Sequence, residues 1–169
     1  LERCHLRFVR AGALLSPDEK ARMTEITARM AALHTLFGQN VLHDEDEWRL
    51  VLDEADLAGL PGFAREAARE AAAERGLPGK YAITLARASV EPFLTFSARR
   101  DLRRQAYEAW AARGEHPGAH DNVPLIGELL ELRAAQARLL GYASYADYRL
   151  ADTMAATPAA AERLLRQVW

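Results

Sequence analysis

Cysteine, lysine and long apolar runs are all scarce in this sequence of 169 residues. Cys4 is the single cysteine, so no disulfide can form within the chain, which favours a reducing compartment such as the cytoplasm. Lys20 and Lys80 are the two lysines among 22 cationic residues, and this bias toward arginine is typical of a GC-rich bacterial genome. With no signal peptide and no apolar run of membrane-spanning length, we expect no membrane partner.

The composition predicts a folded protein that does not bind nucleic acid. Half of the residues are hydrophobic, which is enough for a core at this length. The net charge of −2 lacks the basic excess that nucleic-acid binding needs. The chain starts at Leu1 rather than a methionine and reaches Trp169 within an apolar periodicity. We therefore expect one helical region, residues 1–169, cut from a larger protein.

Helix signals dominate the first third of the chain. Ser16 to Glu19 combine an N-cap serine, a proline at the first helical position and a capping-box glutamate. They predict a helix of about 25 residues, above the usual length, and the acidic segment 43–47 is expected to be a turn after it. Residues 48–53 and 81–85 alternate in polarity between turn signals, which is typical of strands.

The remaining start signals predict further helices. Ser97, Asp121 or Asn122, Ser144 and Thr157 each precede an apolar periodicity at helical spacing. The predicted fold is therefore all-α, an array of helices like a bundle. It has one small two-stranded antiparallel β element, which pairs residues near 48–53 with residues near 81–85.

Histidines and acidic residues offer two weak candidates for metal binding. His116 and His120 have the spacing of zinc ligands on a helix, but Pro117 and Gly118 interrupt any helix between them. The acidic segment 43–47 lacks the glycine of a calcium loop. A solvated loop and a solvated turn are the favoured interpretations, so we predict no metal and no cofactor in this chain.

Nucleophilic catalysis has no support in the sequence. Cys4 and His5 are neighbours, and on a helix their side chains point in different directions. His34 lies beside the apolar stripe of the long helix and is interpreted as a packing residue. We therefore predict no catalytic residue among these 169 positions.

Arg133 is the most informative candidate residue. At 100° per residue it lies at the centre of an apolar helix face, whose other members are Ile126, Leu129, Leu130, Ala137 and Leu140. Such a guanidinium is either buried beside a carboxylate or lines a cavity where it contacts a substrate. We favour a structural buried ion pair, with Asp101 or Glu108 on the preceding helix as partner, because an unpaired buried charge is costly.

Several short motifs together resemble a known family. The residues that carry the resemblance between positions 126 and 155 are Leu132, Arg133, Ala137, Leu139, Leu140, Gly141, Tyr142, Ala146, Met154 and Ala155. Leu57 to Pro61, Tyr81 to Leu85 and Arg99 to Arg103 extend it along the chain. In this order and spacing they resemble the thimet oligopeptidase and peptidyl-dipeptidase family of zinc metallopeptidases.

This resemblance implies a parent enzyme larger than the chain. Members of the family are almost wholly helical hydrolases in which two halves enclose a channel for short peptides, and zinc is held by an H-E-x-x-H helix. That motif is absent from the 169 residues. The resemblance therefore implies a non-catalytic N-terminal part, which forms scaffold and channel wall. Its expected partners are the missing catalytic part of the same protein and, in the parent, short peptides.

A second hypothesis treats the chain as a stand-alone helical adaptor without enzymatic activity, which binds a partner through an apolar groove. A reading frame that continues past Trp169 to an H-E-x-x-H motif would favour the peptidase.

Under the peptidase hypothesis, apolar residues of the terminal helices are expected to be exposed and to allow self-association. Those of the last helix are Ala161, Leu164, Leu165, Val168 and Trp169.

Overall fold

The computed structural model describes residues 1–169, apart from the side chain of Glu2. Over these residues the chain forms eight α-helices, two strands and one 3-10 helix, Glu54–Asp56. The α-helices are α1 Glu2–Arg10, α2 Pro17–Glu47, α3 Gly62–Glu74, α4 Arg87–Phe96, α5 Arg100–Ala111, α6 Val123–Leu139, α7 Tyr145–Leu150 and α8 Pro158–Val168. The strands are β1 Arg49–Leu52 and β2 Tyr81–Thr84. The predicted fold class, mainly helical with a small β element, is confirmed.

The packing divides the chain into two compact units. The first contains residues 1–35 and 124–169, and the second contains residues 36–123. Each has buried apolar side chains of its own, and each is described by itself below. Within the described residues, no helix is both long and apolar enough to cross a membrane.

The predicted strand pairing is confirmed in the second unit. β1 and β2 are antiparallel, with Leu50 opposite Ile83 and Leu52 opposite Tyr81. Leu50 and Leu52 alternate with exposed residues, so one face of β1 enters the core. The buried residues of this core are Leu50, Leu52, Leu57, Leu60, Ala68, Ile83, Val90, Phe93 and Ala106.

Helix α2 begins where predicted but ends later. The Ser16 amide donates to Glu19 Oε2 at 2.8 Å and the Glu19 amide donates to Ser16 Oγ at 3.3 Å, which is the expected capping box. The turn expected at 43–47 is wrong, because the helix continues to Glu47. Acidic side chains are unfavourable at a helix C-terminus. Here Glu45 pairs with Arg113 and Asp44 accepts from the Gly114 amide, which offsets that cost.

Helix α4 is a structural element that the sequence did not predict. Pro92 lies in its interior, where a proline normally ends a helix. The helix persists because Val90 and Phe93 are buried in the core. Its start is attached to β2 by a hydrogen bond of 3.0 Å from the Thr84 amide to Ser89 Oγ.

In the first unit, the predicted caps of the later helices are confirmed. Ser144 Oγ accepts from the Asp147 amide at the start of α7, and Thr157 Oγ1 accepts from the Ala160 amide at the start of α8. Helix α6 ends before Gly141, which has a φ of +81°. The side chains buried in this unit are Ile26, Leu33, Leu129 and Ala137.

Candidate functional site

Helix α6 carries Arg133 on a face that is covered along part of its length. The helix starts at Val123, whose amide donates to Asp121 Oδ1 at 2.9 Å. Leu129 and Ala137 are buried on the expected apolar face, whereas Ile126 and Leu130 on the same face are 44% and 58% exposed. Arg133 therefore lies among apolar side chains of which some are buried and some face solvent.

The half-buried guanidinium of Arg133 contacts two side chains from other helices. Its Nη2 lies 3.3 Å from Nε2 of His34 on α2. Its Cζ lies 5.3 Å from the ring centroid of Tyr145 at the start of α7, within the range of a cation–π interaction. Its Nε is buried and has no hydrogen-bond acceptor among the described atoms. Such a buried unpaired donor costs about 1–3 kcal/mol.

The carboxylates named as partners of Arg133 are engaged by other arginines. Asp101 accepts from Arg99 at 2.7 Å, and Glu108 accepts from Arg104 at 2.7 Å. Among the side chains that the structure describes, the neighbours recorded for Arg133 are His34 and Tyr145. A buried ion pair at Arg133, with Asp101 or Glu108 as the proposed partner, stays a prediction.

A second partly buried arginine, Arg10, was not predicted from the sequence. Arg10, at the end of α1, pairs with Asp152 and donates from Nη2 to the Tyr148 carbonyl at 2.6 Å. Its Cζ lies 4.8 Å from the ring centroid of Tyr148. Arg10 is one of three arginines in a short helix, and nothing in the local pattern distinguishes it. Its partners lie about 140 positions later in the chain, beyond the range of any local signal.

Polar side chains at the end of α2 hold the loop after α5 in the second unit. Buried Asn40 donates to Asn122 Oδ1 at 2.9 Å, and Asn122 Nδ2 donates to the Phe37 carbonyl at 3.2 Å. His120 stacks on His43 with ring centroids 3.8 Å apart. These contacts give the acidic end of α2 and the loop histidines structural roles.

The two loop histidines have different neighbours. His116 Nε2 lies 3.7 Å from Asp44 Oδ2, whereas His120 stacks on His43. Zinc needs at least three convergent protein ligands. Within the described part of the chain, no group of three or more His, Cys, Asp or Glu side chains could hold a metal ion. The resemblance implies zinc in the parent protein, and the described residues offer no set of ligands that would fit it.

Two carboxylates of the chain are held in their charged form by arginine. The Arg99 guanidinium hydrogen-bonds Asp101 and holds the pKa of that carboxyl at about 2, well below its usual value. Arg29 donates from both Nε and Nη2 to Glu128, at 2.5 and 2.7 Å, and lowers the pKa of Glu128. Both pairs are exposed to solvent, so they fix local geometry more than they stabilise the fold.

The structure explains why one of the motifs that carry the resemblance contains a glycine. Gly59, in the segment Leu57 to Pro61, has a φ of +85°. A Cβ at this position would collide with the Phe96 carbonyl and lie 2.8 Å from the Ala98 amide nitrogen. Between these chain segments, the Ala98 amide donates to the Ala58 carbonyl at 2.8 Å. The motif therefore joins the turn before α3 to the end of α4.

The described residues form a mainly helical fold in which no group of side chains could hold a metal ion. Comparison with known proteins finds a family to which part of the chain is similar. Residues 93–169 match the model of Peptidase family M3. The resemblance predicted from the sequence is confirmed, and the chain is related to this family.

Curated relatives extend the match along almost the whole chain. The dipeptidyl carboxypeptidase of Salmonella typhimurium is 37% identical over 97% of this chain, and that of Escherichia coli is 37% identical over 99%. Oligopeptidase A of Haemophilus influenzae is 39% identical over 89%. The chain spans about a quarter of the length of these relatives, namely 24%, 25% and 23%.

Proposed function

We propose that this chain is a helical scaffold and channel-wall part of a zinc metallopeptidase that hydrolyses short peptides, as an oligopeptidase or a peptidyl-dipeptidase. The observation that carries the proposal is the match to dipeptidyl carboxypeptidases along nearly the whole chain. Because the 169 residues contain no H-E-x-x-H motif, zinc and the catalytic residues would be supplied by other parts of the parent protein. A bacterial cytoplasm is the proposed location.

Within the parent, the residues of this chain would position helices and would not take part in bond cleavage. When zinc is bound elsewhere in the parent, it would supply the Lewis acid and the activated water of peptide hydrolysis. The ion pairs of Arg10 and Arg113 would hold the helices that form the wall. The partners of this chain would be the catalytic part of the same protein and the peptides that enter its channel.

A segment exchange tests this function. Residues 1–169 would replace the aligned quarter of the Escherichia coli dipeptidyl carboxypeptidase. The same exchange with the segment of the Salmonella typhimurium relative provides the matched control for the junctions. We expect the chimera to fold and to hydrolyse peptides. A folded but inactive chimera beside an active control would contradict the proposal.

The alternative function is that of a stand-alone helical adaptor without enzymatic activity. Under this alternative, the exposed side chains of Leu164, Leu165 and Val168 in the last helix would bind a separate partner protein instead of the rest of a parent enzyme, since large exposed apolar faces mark interaction sites. An inactive chimera, together with a 169-residue chain that is stable and monomeric in solution, would favour the adaptor.

A further inference from the structure

The guanidinium of Arg133 retains unused hydrogen-bonding capacity. An arginine has five N–H donors and no acceptor, and it is always charged. Nη2 faces His34 and one face of the plane lies near Tyr145. The buried Nε has no acceptor within the described structure. The group is therefore oriented by its neighbours, and a ligand from solvent would reach its outer nitrogens, because Nε is buried.

His34 fixes the guanidinium without neutralising it. At 3.3 Å, Nε2 of a neutral imidazole can accept from Arg133 Nη2, whereas a protonated ring would place two cations together. The positive charge of Arg133 therefore has no counter-charge from His34. This arrangement suits an incoming anion, because arginine pairs with planar carboxylates through two parallel hydrogen bonds.

The surroundings favour an anion that is attached to an apolar group. Leu130 precedes Arg133 by about one turn on the same helix face, and Ile126 precedes it by about two turns. Both residues are exposed. The nearby Arg29 is already paired with Glu128. A guanidinium without a carboxylate partner among the described side chains, beside exposed aliphatic residues, matches one carboxylate on a peptide better than it matches a phosphate or a nucleic acid.

We infer that Arg133, held by His34 and Tyr145, is a binding site for a peptide carboxylate. The carboxylate comes either from the C-terminus of a bound peptide or from an Asp or Glu side chain of a polypeptide segment outside the 169 residues. This inference rests on the proposed function and deepens it, because it names the residue and the chemical group through which one of the proposed partners would be bound.

Binding is measured on the 169-residue chain. The probe is an N-acetylated leucine dipeptide with a free carboxylate, and the same peptide as its carboxamide is the control. Proton–nitrogen NMR spectra follow the Nε–H resonance of Arg133, which is assigned by its loss in the R133K variant. We expect the acid to displace this resonance saturably and the amide to leave it in place.

Variants separate recognition from a structural role. R133K keeps the charge and loses the paired donors, so it should weaken binding of the acid by about tenfold or more. R138Q, on the exposed side of the same helix, provides the control and should bind as the wild type does. Equal displacement by acid and amide, or unchanged affinity in R133K, would overturn the inference, as would a stronger effect of inorganic phosphate.

The chimera with the Escherichia coli enzyme distinguishes the two sources of the carboxylate. If the bound peptide supplies it, R133Q raises KM for free-acid peptides about tenfold and leaves KM for amides unchanged. If another segment supplies it, R133Q lowers the Tm of the chimera but not that of the isolated chain. Equal behaviour of R133Q and R138Q in an active chimera would overturn the inference alone, whereas an inactive wild-type chimera counts against the proposed function.

Discussion

Gly59 shows how much a single residue determines at the turn before α3. Its positive φ and the close approach of the Phe96 carbonyl leave no room for a side chain. We expect G59A to lower the free energy of unfolding by more than about 2 kcal/mol and Tm by more than about 4 °C. The measurement is thermal unfolding followed by circular dichroism.

Gly62 provides the matched control for this substitution. It opens α3, and a Cβ there would meet no atom within 4 Å. G62A should therefore leave Tm unchanged or raise it slightly, because alanine restricts the unfolded chain. Equal decreases of Tm in G59A and G62A would contradict the strain predicted for a side chain at position 59.

Asp101 gives a pH dependence whose sign follows from its pKa. Because Arg99 lowers the pKa of the folded state from 3.8 to about 2, the ionised carboxyl stabilises the folded chain above pH 3.8. That stability is lost as pH falls from 3.8 through 2. The free energy of unfolding of D101N, measured by urea unfolding, should therefore depend less on pH between 3.8 and 2 than that of the wild type.

Added salt provides a check on the origin of this effect. Asp101 is largely exposed, so its interaction with Arg99 should weaken at high ionic strength, and wild type and D101N should then converge. An identical pH dependence of the two proteins at low salt would contradict the assigned cause.

At Arg133 the sequence predicted the position but not the neighbours. The 100° periodicity was sufficient to place a cation on an apolar helix face. His34 is 99 positions away in sequence, so no local pattern could identify it as a contact. The carboxylate expected beside Arg133 stays a prediction, because Asp101 and Glu108 are held by other arginines.

At the scale of elements, local chemistry predicted most helix starts and both strands. Ser16, Ser144 and Thr157 cap their helices through the hydrogen bonds that their residue types favour. The cap predicted at Ser97 is wrong, because Ser97 ends α4 and Arg99 precedes the first residue of α5. Two other errors have tertiary causes. The end of α2 depends on Arg113 and the Gly114 amide, and α4 tolerates Pro92 because its neighbours are buried in the core.

At the scale of the whole molecule, the exposed apolar face of α8 predicts how the isolated chain behaves in solution. Leu164, Leu165 and Val168 are 61%, 68% and 81% exposed, as expected from the sequence. We propose that these residues pack against another part of the parent protein and otherwise make the isolated chain self-associate. Light scattering should show a mass that rises with concentration, and L165E should reduce it.

A charge change on the other side of α8 controls for effects of charge alone. Arg163 lies nearly opposite Leu165 at helical spacing and is exposed. R163E should self-associate as the wild type does. A strictly monomeric wild-type chain would contradict this use of the α8 face and would favour the stand-alone adaptor.

We propose that this chain supplies scaffold, while catalysis belongs to other parts of the parent protein. The most direct test compares zinc content and peptide hydrolysis of the purified, tag-free chain with those of the Escherichia coli chimera. We predict stoichiometric zinc and peptide hydrolysis in the chimera, and neither in the isolated 169 residues. Stoichiometric zinc with peptide hydrolysis by the isolated chain would contradict it.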